Sequence, residues 1–99
     1  MVTQTTIDPG RIAISLDYVT RELDFLAEVE GESEETQLAY MLEWPDLMAR
    51  LQSLERAYRS GQMTPEQAER YRELLGKLSE ALPIIERLGL TRPPVTLQP

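Results

Sequence analysis

Two pairs of acidic residues lie close together in the first half of the chain. Glu32 and Glu35 are three residues apart, and so are Glu43 and Asp46. Carboxylate oxygens are the ligands that Mg²⁺ prefers, and a Mg²⁺ ion held against a phosphate chain assists its hydrolysis. These four side chains therefore indicate one candidate chemistry, which is magnesium-dependent phosphate hydrolysis.

The E-x-x-E and E-x-x-D motifs resemble those of the all-helical nucleotide pyrophosphohydrolases of the MazG type. That resemblance implies four carboxylates on two facing helices, holding magnesium against a triphosphate. Here only seven residues separate the two pairs, too few for them to lie on two antiparallel helices and face each other. No Lys or Arg lies near them to hold phosphates. We therefore keep this enzyme as an alternative interpretation and assign the chain to no family.

Other catalytic and metal-binding chemistry finds little support. The sequence contains no cysteine and no histidine, which excludes disulfides, thiol nucleophiles, Ser-His-Asp triads and nearly all zinc sites within it. Residues 28–35, EVEGESEE, have glycine at the fourth position and only Glu as acids, unlike a calcium-binding loop. We predict no catalytic residue, no metal site and no cofactor.

The charge is distributed unevenly along the chain. Residues 1–46 contain 11 acidic and two basic residues, whereas residues 47–99 contain six acidic and eight basic residues. Such an acidic first half argues against a nucleic acid partner, because phosphates need a basic surface. It favours a basic protein, or the basic half of another copy; the alternative is an acidic face that only keeps the protein in solution. The residues predicted to bind a partner are Glu28, Glu30, Glu32, Glu34, Glu35, Glu43 and Asp46.

Two observations bear on localisation. The first residues, MVTQTTIDPGR, lack the cationic start and apolar core of a signal peptide. No apolar run approaches the ~18 residues of a membrane span. We expect a cytoplasmic protein without a membrane partner.

Capping residues and apolar spacing predict an all-α fold. Asp8 and Ser33 are good helix N-caps, and Thr64, Pro65 and Gln67 form the pattern of a capping box with proline at the first helical position. Glycine follows each predicted helix. The predicted helices cover residues 9–30, 34–60 and 65–88.

The apolar residues of the first two predicted helices follow helical spacing. In the first helix, one stripe consists of Ile12, Leu16, Val19, Leu23 and Leu26, and a second of Ile14, Tyr18, Phe25 and Val29. In the second helix, the apolar face is predicted to comprise Leu38, Met41, Leu42, Leu47, Leu51, Leu54 and Tyr58. Two stripes on one helix suit a bundle or a dimer surface. We predict a single domain over residues 1–99, an antiparallel up-down-up bundle of three helices. An extended arm (1–7) precedes it, and a proline-rich tail (89–99) is frayed or docked on the surface.

Pro45 and Pro83 interrupt the second and third predicted helices. Each removes a backbone hydrogen bond, so we predict a kink at each, with four or five helical segments as the alternative. Trp44, with Met41 and Tyr40, is a candidate groove at the bend. The competing interpretation is that the Trp44 side chain fills space and its indole N–H bonds a nearby oxygen.

These observations favour a non-enzymatic protein–protein interaction module, of the kind found among regulators, antitoxins and immunity proteins. The complementary charges of the two halves favour self-association as a homodimer. The alternatives are the magnesium-dependent phosphohydrolase and a purely structural homodimer. The sequence does not identify the partner or the pathway.

Overall fold

Three α-helices follow one another in a computed structural model that describes residues 9–97: α1 (Pro9–Val29), α2 (Glu34–Arg59) and α3 (Pro65–Arg87). No strand occurs in this part of the chain, so the all-helical fold class is confirmed. Each helix end lies within one residue of its predicted position. The predicted Asp8 cap and N-terminal arm fall outside the described residues. Within residues 9–97, none of the helices combines the length and the apolar character needed to cross a membrane.

Side-chain caps begin the second and third helices. The hydroxyl of Ser33 accepts a hydrogen bond of 3.3 Å from the Thr36 N–H at the start of α2. At the start of α3, the Thr64 hydroxyl accepts from the Gln67 N–H and the Gln67 side chain accepts from the Thr64 N–H, both at 3.1 Å. These bonds satisfy backbone donors that a helix leaves unpaired, which is why the capping pattern located both helices.

Glycines in the left-handed conformation end the same two helices. Gly61 has φ +74° and Gly89 has φ +72°. After α2, the Gln62 N–H donates to the Ala57 carbonyl at 2.9 Å and the Gly61 N–H to the Tyr58 carbonyl at 3.3 Å. This is the Schellman arrangement, and only glycine adopts its positive φ without a steric cost.

Two glycine substitutions are expected to change stability in opposite directions. Gly61→Ala is expected to lower the free energy of unfolding by about 1 kcal/mol, because alanine is strained at positive φ. Gly76 lies inside α3, where an added Cβ meets nothing within 4 Å. Gly76→Ala is therefore expected to raise that free energy by about 0.5–1 kcal/mol. Urea unfolding followed by circular dichroism measures both; changes of the same sign would contradict this account.

Helix α1 packs against both α2 and α3, whereas the direct contact between α2 and α3 is much smaller. The whole first stripe of α1 is buried in a single core, but the second stripe is divided. Val29 is buried and Tyr18 half-buried, while Ile14 is 64% exposed. The core consists of Ile12, Leu16, Val19, Leu23, Leu26, Val29, Tyr40, Trp44, Leu47, Met48, Leu51, Leu54, Ala57, Tyr71, Leu74, Leu75, Leu78 and Ile85.

Three ion pairs join α1, or the turn that follows it, to α3 along the length of their contact. Arg70 pairs with Asp17, Lys77 with Asp24 at 2.7 Å, and Arg87 with Glu30 at 2.5 Å. Residue numbers rise together along the two segments. Between α1 and α2 they run oppositely: the Arg50 guanidinium lies over the Tyr18 ring, and Tyr40 bonds the Glu22 carbonyl.

Both internal prolines lie within continuous helices. Helix α2 runs from residue 34 to 59 through Pro45, and α3 from 65 to 87 through Pro83. In α2 the buried residues Trp44 and Leu47 flank the proline, whose own side chain is exposed. Core packing on both sides of Pro45 supports the helix where a hydrogen bond is missing. The kinks at these positions stay predictions.

Candidate protein-binding surface

The seven acidic residues predicted to bind a partner are all exposed, and they are distributed over α1, the turn that follows it and α2. Glu28 lies in the last turn of α1, and Glu30 and Glu32 in the connection to α2. The other four lie on α2: Glu34, Glu35, Glu43 and Asp46. Among residues 9–97, no three acidic side chains are grouped so that they could hold a metal ion.

One predicted partner-binding residue is already engaged within the chain. Glu30 accepts two hydrogen bonds from the Arg87 guanidinium, at 2.5 and 2.9 Å. These bonds lower the pKa of the Glu30 carboxyl below its usual value and raise that of Arg87. A bidentate pair of this kind satisfies both charges. Glu30 therefore links the turn after α1 to α3 and offers less charge to a partner than its neighbours do.

Glu43 lies beside a shallow groove between α1 and α2 with a volume of about 260 Å³. Glu22, Phe25 and Tyr40 also form part of its lining. The Tyr40 hydroxyl donates a 2.8 Å hydrogen bond to the Glu22 carbonyl. Burial, and then repulsion from Glu43, raise the pKa of the Glu22 carboxyl. Tyr40, a predicted groove residue, thus helps to join the two helices.

The opposite pKa shifts of Glu22 and Glu30 predict opposite effects of removing each charge. A raised folded-state pKa means that ionisation of Glu22 costs stability, whereas a lowered one means that ionisation of Glu30 contributes stability. Near neutral pH, Glu22→Gln is expected to stabilise the fold and Glu30→Gln to destabilise it. Both differences are expected to shrink as the pH falls through the respective folded-state pKa. Unfolding free energies at pH 7 and in acid test this; equal signs for the two variants at pH 7 would contradict it.

Trp44 is buried beneath the C-terminal tail, with only 2% of its surface exposed. Its indole N–H donates to the Thr91 carbonyl at 2.9 Å and to the Thr91 hydroxyl at 3.1 Å. The Tyr40 ring also packs against it, with ring centroids 5.9 Å apart. This arrangement corresponds to the second interpretation of Trp44, in which the ring fills space and its N–H bonds a nearby oxygen. The chain's own tail occupies the position against the ring.

From Thr91 the tail runs along α2 and parallel to it, so that residue numbers rise together in the two segments. Its next polar contact is the Thr96 N–H, which donates to the Glu55 carboxylate at 2.8 Å. Between these contacts Pro93 is buried and Val95 packs against the core. The eleven helix steps from Trp44 to Glu55 cover about 17 Å, which five extended residues also span. The tail therefore lies as a strap along α2.

The largest apolar exposure on α2 is a stripe opposite the core. Leu42 is 74% exposed and Leu38 57%, and Met41 is 40% exposed. Pro45 and Ala49 continue the stripe and are also exposed. We call these five residues the outer face of α2. Their spacing of four, three and four residues from Leu38 through Leu42 and Pro45 to Ala49 places them on one side of the helix.

The sequence prediction for α2 was wrong on this point, since it placed Leu38, Met41 and Leu42 on the buried face with Leu47. Leu47 lies nine positions after Leu38, which is two and a half helical turns, so the two side chains lie on opposite sides. The buried face instead contains Tyr40, Trp44, Leu47, Met48, Leu51, Leu54 and Ala57. A 4-3-4 spacing that starts at Leu38 leads to Leu42, Pro45 and Ala49, whereas one that starts at Tyr40 leads to Trp44, Leu47 and Leu51. Counting the two series separately would have distinguished the exposed face from the buried one.

Comparisons with protein-family models, with curated proteins and with solved structures found no significant match to this chain.

Proposed function

We propose that this chain is a small helical protein-binding module whose contact surface is the outer face of α2. One observation carries the proposal: Leu38, Met41 and Leu42 are exposed side by side although a closed core lies on the opposite side of the same helix. Grouped exposed apolar side chains on a soluble protein typically mark an interaction site, because covering them removes apolar surface from water. A regulator, an antitoxin and an immunity protein all act by such binding.

The charges around the outer face support a basic partner surface. Glu34, Glu35 and Asp46 lie on α2 beside the apolar stripe and are exposed. Acidic residues at the margin of an apolar contact speed association with a basic surface and disfavour acidic competitors. The apolar stripe would then supply most of the affinity, and the margin would supply selectivity.

We further propose that the three helices form an up-down-up bundle with the outer face of α2 directed away from it. The order of the ion pairs between α1 and α3 and the opposite order of the contacts between α1 and α2 support this arrangement. In such a bundle α2 is supported along its length by α1, which makes its outer face a rigid surface.

Affinity capture from the native host tests the proposal. The wild type is compared with Leu42→Glu, which places a charge in the outer face, and with Ile14→Glu, a matched change at an exposed apolar residue of α1. We expect at least one captured protein, or the chain itself, to be retained by the wild type and Ile14→Glu and lost from Leu42→Glu. Circular dichroism checks that both variants fold. Identical capture by all three proteins would overturn the proposal.

A second set of variants tests the acidic margin. Replacing Glu34, Glu35 and Asp46 together by Lys is expected to weaken the same capture. The matched control replaces three exposed acids of α3, namely Glu66, Glu69 and Glu73, by Lys. Equal loss in the two triple variants would mean that net charge, and not the position of the acids, governs binding.

A further inference from the structure

We infer that the partner of the outer face of α2 is a second copy of the same chain, whose α2 lies antiparallel across it about a two-fold axis near Pro45. The inference rests on the proposed function and names the partner. It concerns a surface that residues 9–97 leave uncovered, since α1 and the described part of the tail both contact α2 elsewhere.

The pattern of the outer face suits pairing with another α-helix. The four-three-four spacing from Leu38 to Ala49 is the spacing of a helix–helix seam, and it continues through Gln52 to Arg56. The apolar part of the seam covers about 17 Å. Antiparallel pairing about Pro45 sets Leu42 of one copy near Ala49 of the other. A large side chain then meets a small one, which allows the two helices to approach closely.

The charges at the two ends of α2 select the antiparallel direction. Glu34 and Glu35 lie in the first turn of the helix, and Arg56 and Arg59 in its last turn. The antiparallel arrangement brings Glu35 of one copy to Arg56 of the other, twice in the dimer. A parallel arrangement would set acids against acids and bases against bases, which is unfavourable. Within residues 9–97, neither Glu35 nor Arg56 has an ion-pair partner, so both are available to a second copy.

A contact through one helix from each copy is small. Stable interfaces bury roughly 800 Å² on each partner, and a single helix face offers less. We therefore expect reversible association with a dissociation constant of about 1 μM to 1 mM, which sedimentation and light scattering can measure.

Cysteine cross-linking tests the direction and register, because the chain has no cysteine of its own. Pro45→Cys is expected to form a disulfide-linked dimer, with Pro45→Ala as the control for loss of the proline. In the proposed register two copies of residue 38 are about 21 Å apart, too far for a disulfide. Leu38→Cys and Gln52→Cys are therefore expected to cross-link when mixed and not when alone. Linkage of Leu38→Cys to itself, or none at Pro45→Cys, would overturn the inference.

A charge exchange tests the same register without a covalent bond. Glu35→Arg and Arg56→Glu are each expected to raise the dissociation constant of the dimer about tenfold, because each places like charges together twice. The double variant restores opposite charges and is expected to return to near the wild-type value. Failure of the double variant to recover would overturn the antiparallel register.

The failure of this inference is distinguishable from that of the proposed function. A chain that stays monomeric at about 1 mM, while Leu42→Glu still loses a captured host protein, overturns the inference and leaves the proposed function standing. If that captured protein is basic and contacts the same face, the occupant is a different protein. If neither self-association nor capture depends on Leu42, both proposals fail.

Discussion

Replacement of Trp44 by alanine is expected to lower the free energy of unfolding by about 3–5 kcal/mol, as for other large buried aromatic residues. The ring is 2% exposed and contacts both Tyr40 and the tail residue Thr91. Its loss removes the indole donor and leaves a cavity beneath the strap. We therefore expect the tail to detach from α2 in the same variant, which faster hydrogen exchange at residues 91–97 would report.

Trp44→Phe removes the indole donor but keeps an aromatic ring that fills most of the space. It leaves the Thr91 carbonyl without its donor, and we expect a loss of about 1–2 kcal/mol. Partial release of the tail is expected in this variant too. Stability and exchange equal to those of the wild type would show that the two hydrogen bonds to Thr91 do not hold the tail.

The second large effect is expected in α1, the helix that contacts both of the others. Leu16 is 1% exposed, and Leu16→Ala is expected to cost about 3 kcal/mol through lost burial and the remaining cavity. Ile14 lies on the same helix two residues earlier but is exposed. Ile14→Ala is expected to change stability by about 0.5 kcal/mol or less. Chemical unfolding of both variants tests this, and equal losses would contradict the packing described for α1.

The helix ends were predictable because their signals are local. Ser33, and Thr64 with Gln67, bond backbone groups within three residues of themselves, so the chain alone specifies them. The buried stripe of α1 was likewise predictable, because its apolar residues follow helical spacing. In the structure this stripe lies in the core, where α1 contacts both other helices.

The contacts that the sequence did not reveal join residues far apart in the chain. Trp44 and Thr91 are 47 residues apart, and Glu30 and Arg87 are 57 apart. Nothing near Trp44 in the sequence distinguishes a ring that lines a groove from one that the tail covers. Nothing near Glu30 in the sequence distinguishes an acid that is available to bind another protein from one that is paired with Arg87. The seven acids therefore looked alike, although the fold places them in different surroundings.

The outer face of α2 was missed for a different reason. Helix α2 has apolar residues on two opposite sides, and a continuous list of them resembles one broad face. Where a helix carries two such stripes, periodicity alone does not say which one the core covers. In α2 the aromatic residues Tyr40 and Trp44 mark the buried stripe, and Leu38 and Leu42 mark the exposed one.

The most direct test of the central claim is an NMR dilution series of the wild-type chain from about 1 mM to about 20 μM. The account predicts concentration-dependent shifts at the methyl groups of Leu38, Met41, Leu42 and Ala49, with Ile14 and the α3 surface unchanged. Unchanged spectra from a chain that sedimentation shows to be monomeric, or shifts confined to α1 and α3, would contradict self-association through the outer face of α2.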